Sequence, residues 1–231
     1  MVRRMPASAP ERVRNRFRDK AQAFDDLYED ERPLVKLLRP GLLRRRKLAV
    51  DTVRSYDSPR VLDVGCGSGR IGEFVLEAGA RQYVGIDFSE PMLALARERL
   101  GRFGDRVQLI EGDFHDTAVE GQFDVVLAVG LFDYLSDPQR TITRIADVCA
   151  TDGCVVGSFP AWSWLKGPIR RVRYEWIGDC PIFDYTPGQV GTMFAAAGLP
   201  HVEIPVRGRS GFLARAARHP RAAAAPRDRR G

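Results

Sequence analysis

The chain has 231 residues, 44% of them hydrophobic, which is enough for one globular domain with a sizeable core. Its net charge of +6 is uneven, because residues 1–18 hold six Arg and one Glu, and residues 215–231 hold six Arg and one Asp. Residues 19–214 therefore carry a charge of −4, which argues against specific nucleic-acid binding by the body of the protein.

The start of the chain and its thiols indicate a cytoplasmic protein. The N-terminus lacks the apolar segment of a secretory signal, and no apolar run approaches the ~20 residues that span a membrane. The four cysteines include no C-x-x-C pair and the three histidines are scattered, so we expect reduced thiols and no metal site. We expect residues 1–18 and 218–231 to be disordered basic tails around a single domain at 19–217, which begins with a helical cap at 19–55.

The stretch Arg60–Gly72, with the sequence RVLDVGCGSGRIG, predicts a buried strand, a glycine turn and a helix. Glycines leave room for a ligand against the backbone, and the helix that follows directs its free amides and positive dipole end at that ligand. We therefore predict a nucleotide-like cofactor site at the start of a doubly wound α/β sheet.

A dinucleotide is one alternative for this cofactor, because the fingerprint G-x-G-x-x-G can be laid on Gly67, Gly69 and Gly72. The first glycine after the strand is Gly65, however, and that register puts Arg70 at the third glycine position. Asp63 at the strand end, and a later acidic site in residues 111–114, also differ from the dinucleotide pattern.

Together these features resemble the class I S-adenosylmethionine (SAM) methyltransferase family, whose turn reads much like VLDVGCGSG. The resemblance covers roughly residues 20–217 and implies a Rossmann-like, seven-stranded, mostly parallel sheet with a C-terminal antiparallel hairpin and an N-terminal helical extension. It implies SAM as cofactor and a site built from these residues: Asp63, Gly65, Cys66, Gly67, Gly69, Asp87, Phe88, Met92, Asp113, Phe114 and Val129.

Asp87 ends the second predicted strand, 22 residues after Gly65 and 18 after Gly69, which is where a doubly wound fold places its ribose-binding acid. An ionised carboxylate can accept hydrogen bonds from both ribose hydroxyls. By resemblance, Phe88 and Met92 flank the adenosine, and Asp113 accepts from the adenine amino group while Phe114 contributes its amide or packs on the ring.

A fourth strand is predicted at residues 123–129. The loop that follows this strand should border the transferred methyl group. It holds Phe132, Asp133 and Tyr134 but lacks the Asn/Asp-Pro-Pro-Tyr motif of enzymes that methylate base amino groups. Asp133 and His115 are the candidate bases, and Phe132 and Tyr134 are candidate substrate contacts. A role in orienting the loop is the alternative for Asp133 and Tyr134.

Residues 160–185 combine aromatic and basic side chains, and the resemblance implies a substrate-recognition insertion there. Three roles are open for the segment: it binds an aromatic or anionic substrate, it forms a nucleic-acid-binding patch, or it is a plain hydrophobic lid. Its candidate substrate contacts are Trp162, Arg170, Arg173 and Tyr174; Tyr28 of the helical cap is a candidate lid residue, with ordinary packing as the alternative.

Residues 151–153, Thr-Asp-Gly, predict a turn into a fifth strand at residues 154–159. A capped helix beginning at Thr186 and a hairpin formed by residues 202–206 and 212–216 complete the predicted domain. The resulting hypothesis is a cytoplasmic, monomeric or homodimeric methyltransferase that uses SAM to methylate a small metabolite, most readily an oxygen of an aromatic or anionic acceptor. We expect the protein to have no specific nucleic-acid partner. The alternatives are a protein or RNA methyltransferase, a NAD(P)-dependent reductase and a non-catalytic SAM-binding protein.

Overall fold

The computed structural model describes residues 40–161, 172, 182–208 and 211–220. Several predictions concern other residues: the 1–18 leader, most of the cap and of the 160–185 insertion, and the contacts assigned to Tyr28, Trp162, Arg170, Arg173 and Tyr174. The described elements, in chain order, are α1 (Pro40–Arg54), β1 (Arg60–Val64), α2 (Arg70–Glu77), β2 (Gln82–Asp87), α3 (Glu90–Leu100), a 3-10 helix (Gly101–Arg106), β3 (Val107–Glu111), β4 (Phe123–Ala128), α4 (Pro138–Val148), β5 (Cys149–Pro160), α5 (Pro187–Ala196), β6 (His201–Gly208) and β7 (Gly211–Ala217).

The strands form one seven-stranded sheet in the order β3-β2-β1-β4-β5-β7-β6. Strands β1 to β5 are parallel, and β7 pairs antiparallel with both β5 and β6. The predicted mostly parallel sheet with a C-terminal antiparallel hairpin is therefore confirmed. The strand order reverses between β1 and β4, so the ligand crevice of such a fold lies at the carboxyl ends of these two strands.

Apolar side chains cover both faces of the sheet, as expected for strands buried between helices. Leu62 and Val64 belong to the core on the side of α4 and α5. Val61 and Tyr83 belong to the core on the side of α1, α2 and α3. The alternation along β1 therefore places Asp63 on the same face as Val61, which matters for its role below.

Strand β5 is longer than its predicted span of residues 154–159. Its pairing with β4 moves from Phe123↔Cys149 to Val125↔Cys154, so the predicted turn at 151–153 is an irregularity within the strand. Gly153 is needed there, because a Cβ on it would lie 2.9 Å from the Phe123 carbonyl oxygen. No helix within the described residues is both long and apolar enough to cross a membrane.

Candidate active site

The glycine turn between β1 and α2 has the backbone geometry that its sequence predicts. Gly65, Gly67 and Gly69 have φ values of 73°, 53° and 73°, in the left-handed region that glycine adopts most readily. The N–H groups of Gly65 and Cys66 donate to the Ile86 carbonyl at 2.8 and 3.1 Å, which ties the turn to the end of β2. The turn therefore ends at Gly69, and α2 begins at the next residue, Arg70.

Helix α3 packs against the other side of this turn. A Cβ on Gly69 would lie 2.9 Å from Leu100 Cδ1 and 3.2 Å from the Ala96 side chain. The Arg99 guanidinium also donates to the Ser68 carbonyl. Gly69 therefore serves close packing as well as backbone geometry, and the turn is held from both sides.

Asp87 joins the turn to β2. Its Oδ2 accepts from the Gly67 N–H at 2.8 Å, and its Oδ1 accepts from the Ser89 N–H at 2.9 Å. Burial raises the pKa of this carboxyl, while the hydrogen bonds from the Ser89, Gly67 and Phe88 amides oppose that rise. Each carboxylate oxygen has a second lone pair, so the predicted ribose acid can accept further hydrogen bonds from a diol.

Asp63 lies inside the protein beneath the turn, with 2% of its surface exposed. Its Oδ2 accepts from the Tyr83 hydroxyl at 2.8 Å. Burial raises the pKa of Asp63 to about 7; the hydrogen bond from Tyr83 lowers it and the charge of Asp87 raises it further. The carboxyl therefore faces Tyr83, and a direct contact with the cofactor stays a prediction.

The loop after β3 lies beside Asp87, because the Gly112 N–H donates to the Asp87 carbonyl at 3.0 Å. Oδ1 of Asp113 accepts from the His115 N–H at 2.9 Å, so this carboxylate also shapes its own loop. Phe114 is buried, and the Arg144 guanidinium lies 5.1 Å from its ring centroid. The structure thus brings Asp87, Asp113 and the glycine turn to one edge of the sheet.

His115 contacts helix α4. Its Nε2 lies 3.0 Å from Thr141 Oγ1. Burial, followed by the positive charge of Arg140, lowers the pKa of the imidazole, which favours the neutral form. A neutral imidazole can accept a proton, but this ring nitrogen already has a hydrogen-bond partner.

The other predicted cofactor residues differ in accessibility. Met92 is buried at 5% exposure, and Cys66 is also buried, with its thiol against Gly85. Phe88 and Val129 are half-buried. Val129 follows the last residue of β4, so it lies at the strand end where the crevice is expected.

The loop after β4 is held to β5 at its start. The Gly130 N–H donates to Ser158 Oγ at 2.7 Å, and the Phe183 N–H donates to the Asp133 carbonyl at 3.0 Å. Phe132 is fully buried and its ring stacks on Phe159 at a centroid distance of 4.3 Å. Phe132 therefore packs the core in this structure, whereas Asp133 and Tyr134 are half-buried.

Two residues at this edge were not singled out by the sequence. A Cβ built on Gly130 would lie 3.5 Å from Nη1 of Arg45, a half-buried residue of α1 whose guanidinium makes no hydrogen bond or ion pair to another described residue. The buried Tyr185 hydroxyl also has no hydrogen-bond partner among the residues that the structure describes. In the sequence Arg45 belongs to a basic run, residues 44–47, that is typical of a solvated helix face, so no local signal distinguishes it.

Comparison with known proteins identifies the family. A family model described as a methyltransferase domain matches residues 61–153. A solved structure of magnesium protoporphyrin IX methyltransferase from Synechocystis PCC 6803 with bound SAH (S-adenosylhomocysteine) superposes with a TM-score of 0.74 at 17% identity, covering 91% of this chain and 100% of that one. Residues 61–153 therefore belong to a methyltransferase domain, and the sheet around them has the Rossmann-like methyltransferase fold. The predicted family is confirmed over these residues, and the solved structure that holds SAH supports the predicted SAM cofactor.

Individual methyltransferases match part of the chain, or its fold alone. Ubiquinone biosynthesis O-methyltransferase from Aromatoleum aromaticum is 35% identical over 113 residues, which are 46% of each chain. The Thiobacillus denitrificans protein of the same name is 34% identical over 142 residues, 61% of this chain and 59% of that one. The matched region thus spans about half the length of these curated relatives. The Burkholderia thailandensis 1,6-didemethyltoxoflavin-N1-methyltransferase has a similar fold, with a TM-score of 0.65 at 19% identity, covering 93% and 92% of the two chains.

The sheet also separates this methyltransferase fold from the dinucleotide alternative. The common dinucleotide-binding sheet has the strand order 3-2-1-4-5-6 and no antiparallel β7 inserted beside β5. Here β7 lies between β5 and β6. Gly72, which could complete a dinucleotide fingerprint, instead packs on Tyr83, where a Cβ would lie 2.5 Å from the ring.

Proposed function

We propose that this protein transfers a methyl group from SAM to a small-molecule acceptor, most readily to an oxygen of an aromatic or anionic metabolite. The observation that carries the proposal is the convergence of the left-handed glycine turn, Asp87 and the Asp113 loop at the carboxyl edge of the sheet. The named relatives support a small-molecule acceptor, since they include two proteins called ubiquinone biosynthesis O-methyltransferase and a protoporphyrin methyltransferase.

The residues at this edge fit SAM by their chemistry. Asp87 would accept from the ribose hydroxyls, and Asp113 would accept from the adenine amino group beside Phe114. The glycine turn exposes backbone where a side chain would obstruct the ligand, and the first turn of α2 presents free N–H groups. When bound, SAM supplies a methyl group activated by a positive sulfur.

Arg45 would complete the cofactor site from α1. SAM carries an α-carboxylate at the end opposite its adenine, and a guanidinium is the best match for such a group because it can donate two parallel hydrogen bonds. The support is position and charge: Arg45 borders Gly130 at the end of β4, and it lacks a hydrogen bond or ion pair to another described residue.

The acceptor would lie against the loop after β4. Positioning of the acceptor in line with the methyl group can lower the barrier by roughly 7–11 kcal/mol in favourable cases, so the residues that hold the acceptor matter more than a general base. Asp133 is the proposed base for an acceptor that must lose a proton, with His115 as the second candidate. The Tyr185 hydroxyl is a proposed donor to the acceptor, because burial raises the pKa of Tyr185 to about 12 and keeps it protonated.

Parallel calorimetric titrations with SAM, SAH and NADH test the cofactor. We expect micromolar binding of SAM and SAH and none of NADH; binding of NADH alone would overturn the proposal. Wild-type protein should then release SAH from SAM when phenols and carboxylic acids are screened as acceptors. Turnover only with RNA or a protein would replace the small-molecule acceptor by one of those classes.

Asp87→Asn tests the site assignment. The amide offers one acceptor oxygen in place of two, so it must face either Gly67 or Ser89 with an N–H group, and it would also serve a ribose diol less well. We expect SAM affinity to fall by about tenfold or more, the equivalent of at least one charge-assisted hydrogen bond. Glu90→Gln is the matched control, because the only described partner of this exposed carboxylate of α3 is Arg97. Equal SAM affinity in the two variants would remove Asp87 from the site.

A further inference from the structure

A buried hydrogen-bonded pair lies beneath the cofactor turn. Tyr83 on β2 is fully buried, and its hydroxyl donates to Oδ2 of Asp63 at 2.8 Å. Asp63 is two residues before Gly65, the first glycine of the turn. A buried polar group that loses its hydrogen-bond partner destabilises the protein, so the two side chains hold each other in place.

The ring of Tyr83 contacts the helix that follows the turn. A Cβ on Gly72 would lie 2.5 Å from Tyr83 Cζ and 2.8 Å from its hydroxyl oxygen. Gly72 is in the first turn of α2, whose amino end faces the proposed cofactor. The tyrosine ring therefore sets the distance between the sheet and this end of α2, and only glycine allows the helix to approach so closely.

One side chain thus contacts both structures that flank the turn. Its hydroxyl fixes the end of β1 through Asp63, and its ring fixes the start of α2 through Gly72. A change in either contact would therefore displace one end of the turn between them. We propose that Tyr83 is a positioning residue for the cofactor turn. The inference rests on the proposed function, because SAM binding is its readout.

The charged and titratable groups around this pair predict a pH signature. Tyr83 and Asp87 face Asp63 from β2, and Cys66 faces it from the turn. Burial raises the pKa values of Tyr83 and Cys66, so both stay protonated near neutrality. From α1, the Arg46 guanidinium lies over the Phe74 ring, 4.4 Å from its centroid.

Burial raises the pKa of Asp63 to about 7, so this carboxyl changes charge near neutrality. SAM carries a sulfonium cation, whereas SAH has a neutral sulfur, so a negative Asp63 beneath the turn favours SAM over SAH. The affinity for SAM should rise as the pH increases through about 7, and the affinity for SAH should rise less. The sign follows from attraction between the carboxylate and the cation.

The test is the Kd of SAM and of SAH from pH 6 to 9 in four proteins: wild type, Tyr83→Phe, Asp63→Asn and the double variant. We expect Tyr83→Phe to weaken SAM binding about fivefold, or about 1 kcal/mol, and to move the pH-dependent rise upward by about one unit, since the carboxylate loses its donor. Asp63→Asn keeps an acceptor for Tyr83 but should remove the rise. Adding Tyr83→Phe to Asp63→Asn should leave the profile flat.

Tyr56→Phe is the control, because the Tyr56 hydroxyl donates to the Asp152 carbonyl at 3.2 Å, near the start of β5 and so at the opposite edge of the sheet. A Tyr83→Phe protein with lower thermal stability but wild-type affinity and pH profile would show a merely structural residue and overturn the inference. Should that variant not fold, a wild-type pH profile in Asp63→Asn would overturn it instead. Wild-type protein that binds neither SAM nor SAH would refute the proposed function itself, which is a distinct outcome.

Discussion

Replacing Gly72 by Ala should destabilise the protein, although alanine is the better helix former. Gly72 lies in α2, and the new Cβ would be 2.5 Å from Tyr83 Cζ, well inside contact distance. Tyr83 cannot easily move aside, because it is fully buried and its hydroxyl donates to Asp63. Helix α2 must therefore shift away from the sheet, or the tyrosine must break its hydrogen bond.

The magnitude follows from two opposing effects. Overpacking a buried site costs about 1–3 kcal/mol, and Gly→Ala within a helix gains up to about 1 kcal/mol. Because the ring is held on both sides, we take the upper part of the first range and expect a net loss of about 2 kcal/mol for Gly72→Ala. Gly191→Ala is the matched control, since Gly191 lies in α5 and a Cβ there meets nothing within 4 Å. That variant should gain about 0.5–1 kcal/mol.

Urea unfolding followed by far-ultraviolet circular dichroism measures both variants against wild type. The free energies of unfolding of the two should differ by about 2.5–3 kcal/mol, with opposite signs relative to wild type. SAM affinity should also fall in Gly72→Ala alone, because α2 carries the amides beside the turn. If Gly72→Ala is as stable as Gly191→Ala, the Tyr83 ring does not set the helix position and this reasoning fails.

Two further predictions concern charge. Ionising the buried Asp63 carboxyl destabilises the folded state, because its pKa is raised from 3.8 to about 7. The free energy of unfolding should therefore fall as pH rises from about 4 to 7, by on the order of 4 kcal/mol from this group. Asp63→Asn should abolish that fall; urea midpoints at pH 5 and 8 that decrease equally in variant and wild type would contradict it. Arg45→Gln should weaken SAM and SAH binding about tenfold, since both carry the α-carboxylate. Arg44→Gln, at the exposed neighbouring residue, should change neither the SAM nor the SAH affinity, and calorimetry measures both. Equal losses of affinity in the two variants would show an effect of general surface charge instead.

Much of the fold was predictable because its signals are local. The left-handed backbone at positions 65, 67 and 69 favours glycine whatever residues surround it. The apolar residues before the turn have the spacing of a strand, and those after it have the spacing of a helix. The spacing from the glycines to Asp87 is set by the length of one helix and one strand, so this acid was found from the sequence. The structure joins it to the turn through Gly67.

The features that the sequence did not indicate involve packing at longer range. The start of β5 was predicted five residues late, because Thr151, Asp152 and Gly153 look like a turn and pairing with β4 outweighs that preference. Phe132, a predicted substrate contact, is fully buried against Phe159, and a lone aromatic residue in a loop gives no indication of which neighbour will cover it; its contact with the substrate stays a prediction.

The sequence by itself determined the family, the order of the elements and the acids at two strand ends, since these depend on backbone sterics and on the periodicity of short segments. Only the tertiary structure decided which side chains meet: Tyr83 with Asp63 and Gly72, and Arg45 with Gly130. Those contacts join elements far apart in the chain, so they depend on how helices pack on the sheet. Packing of this kind is a property of the whole core and is not encoded in any single window of residues.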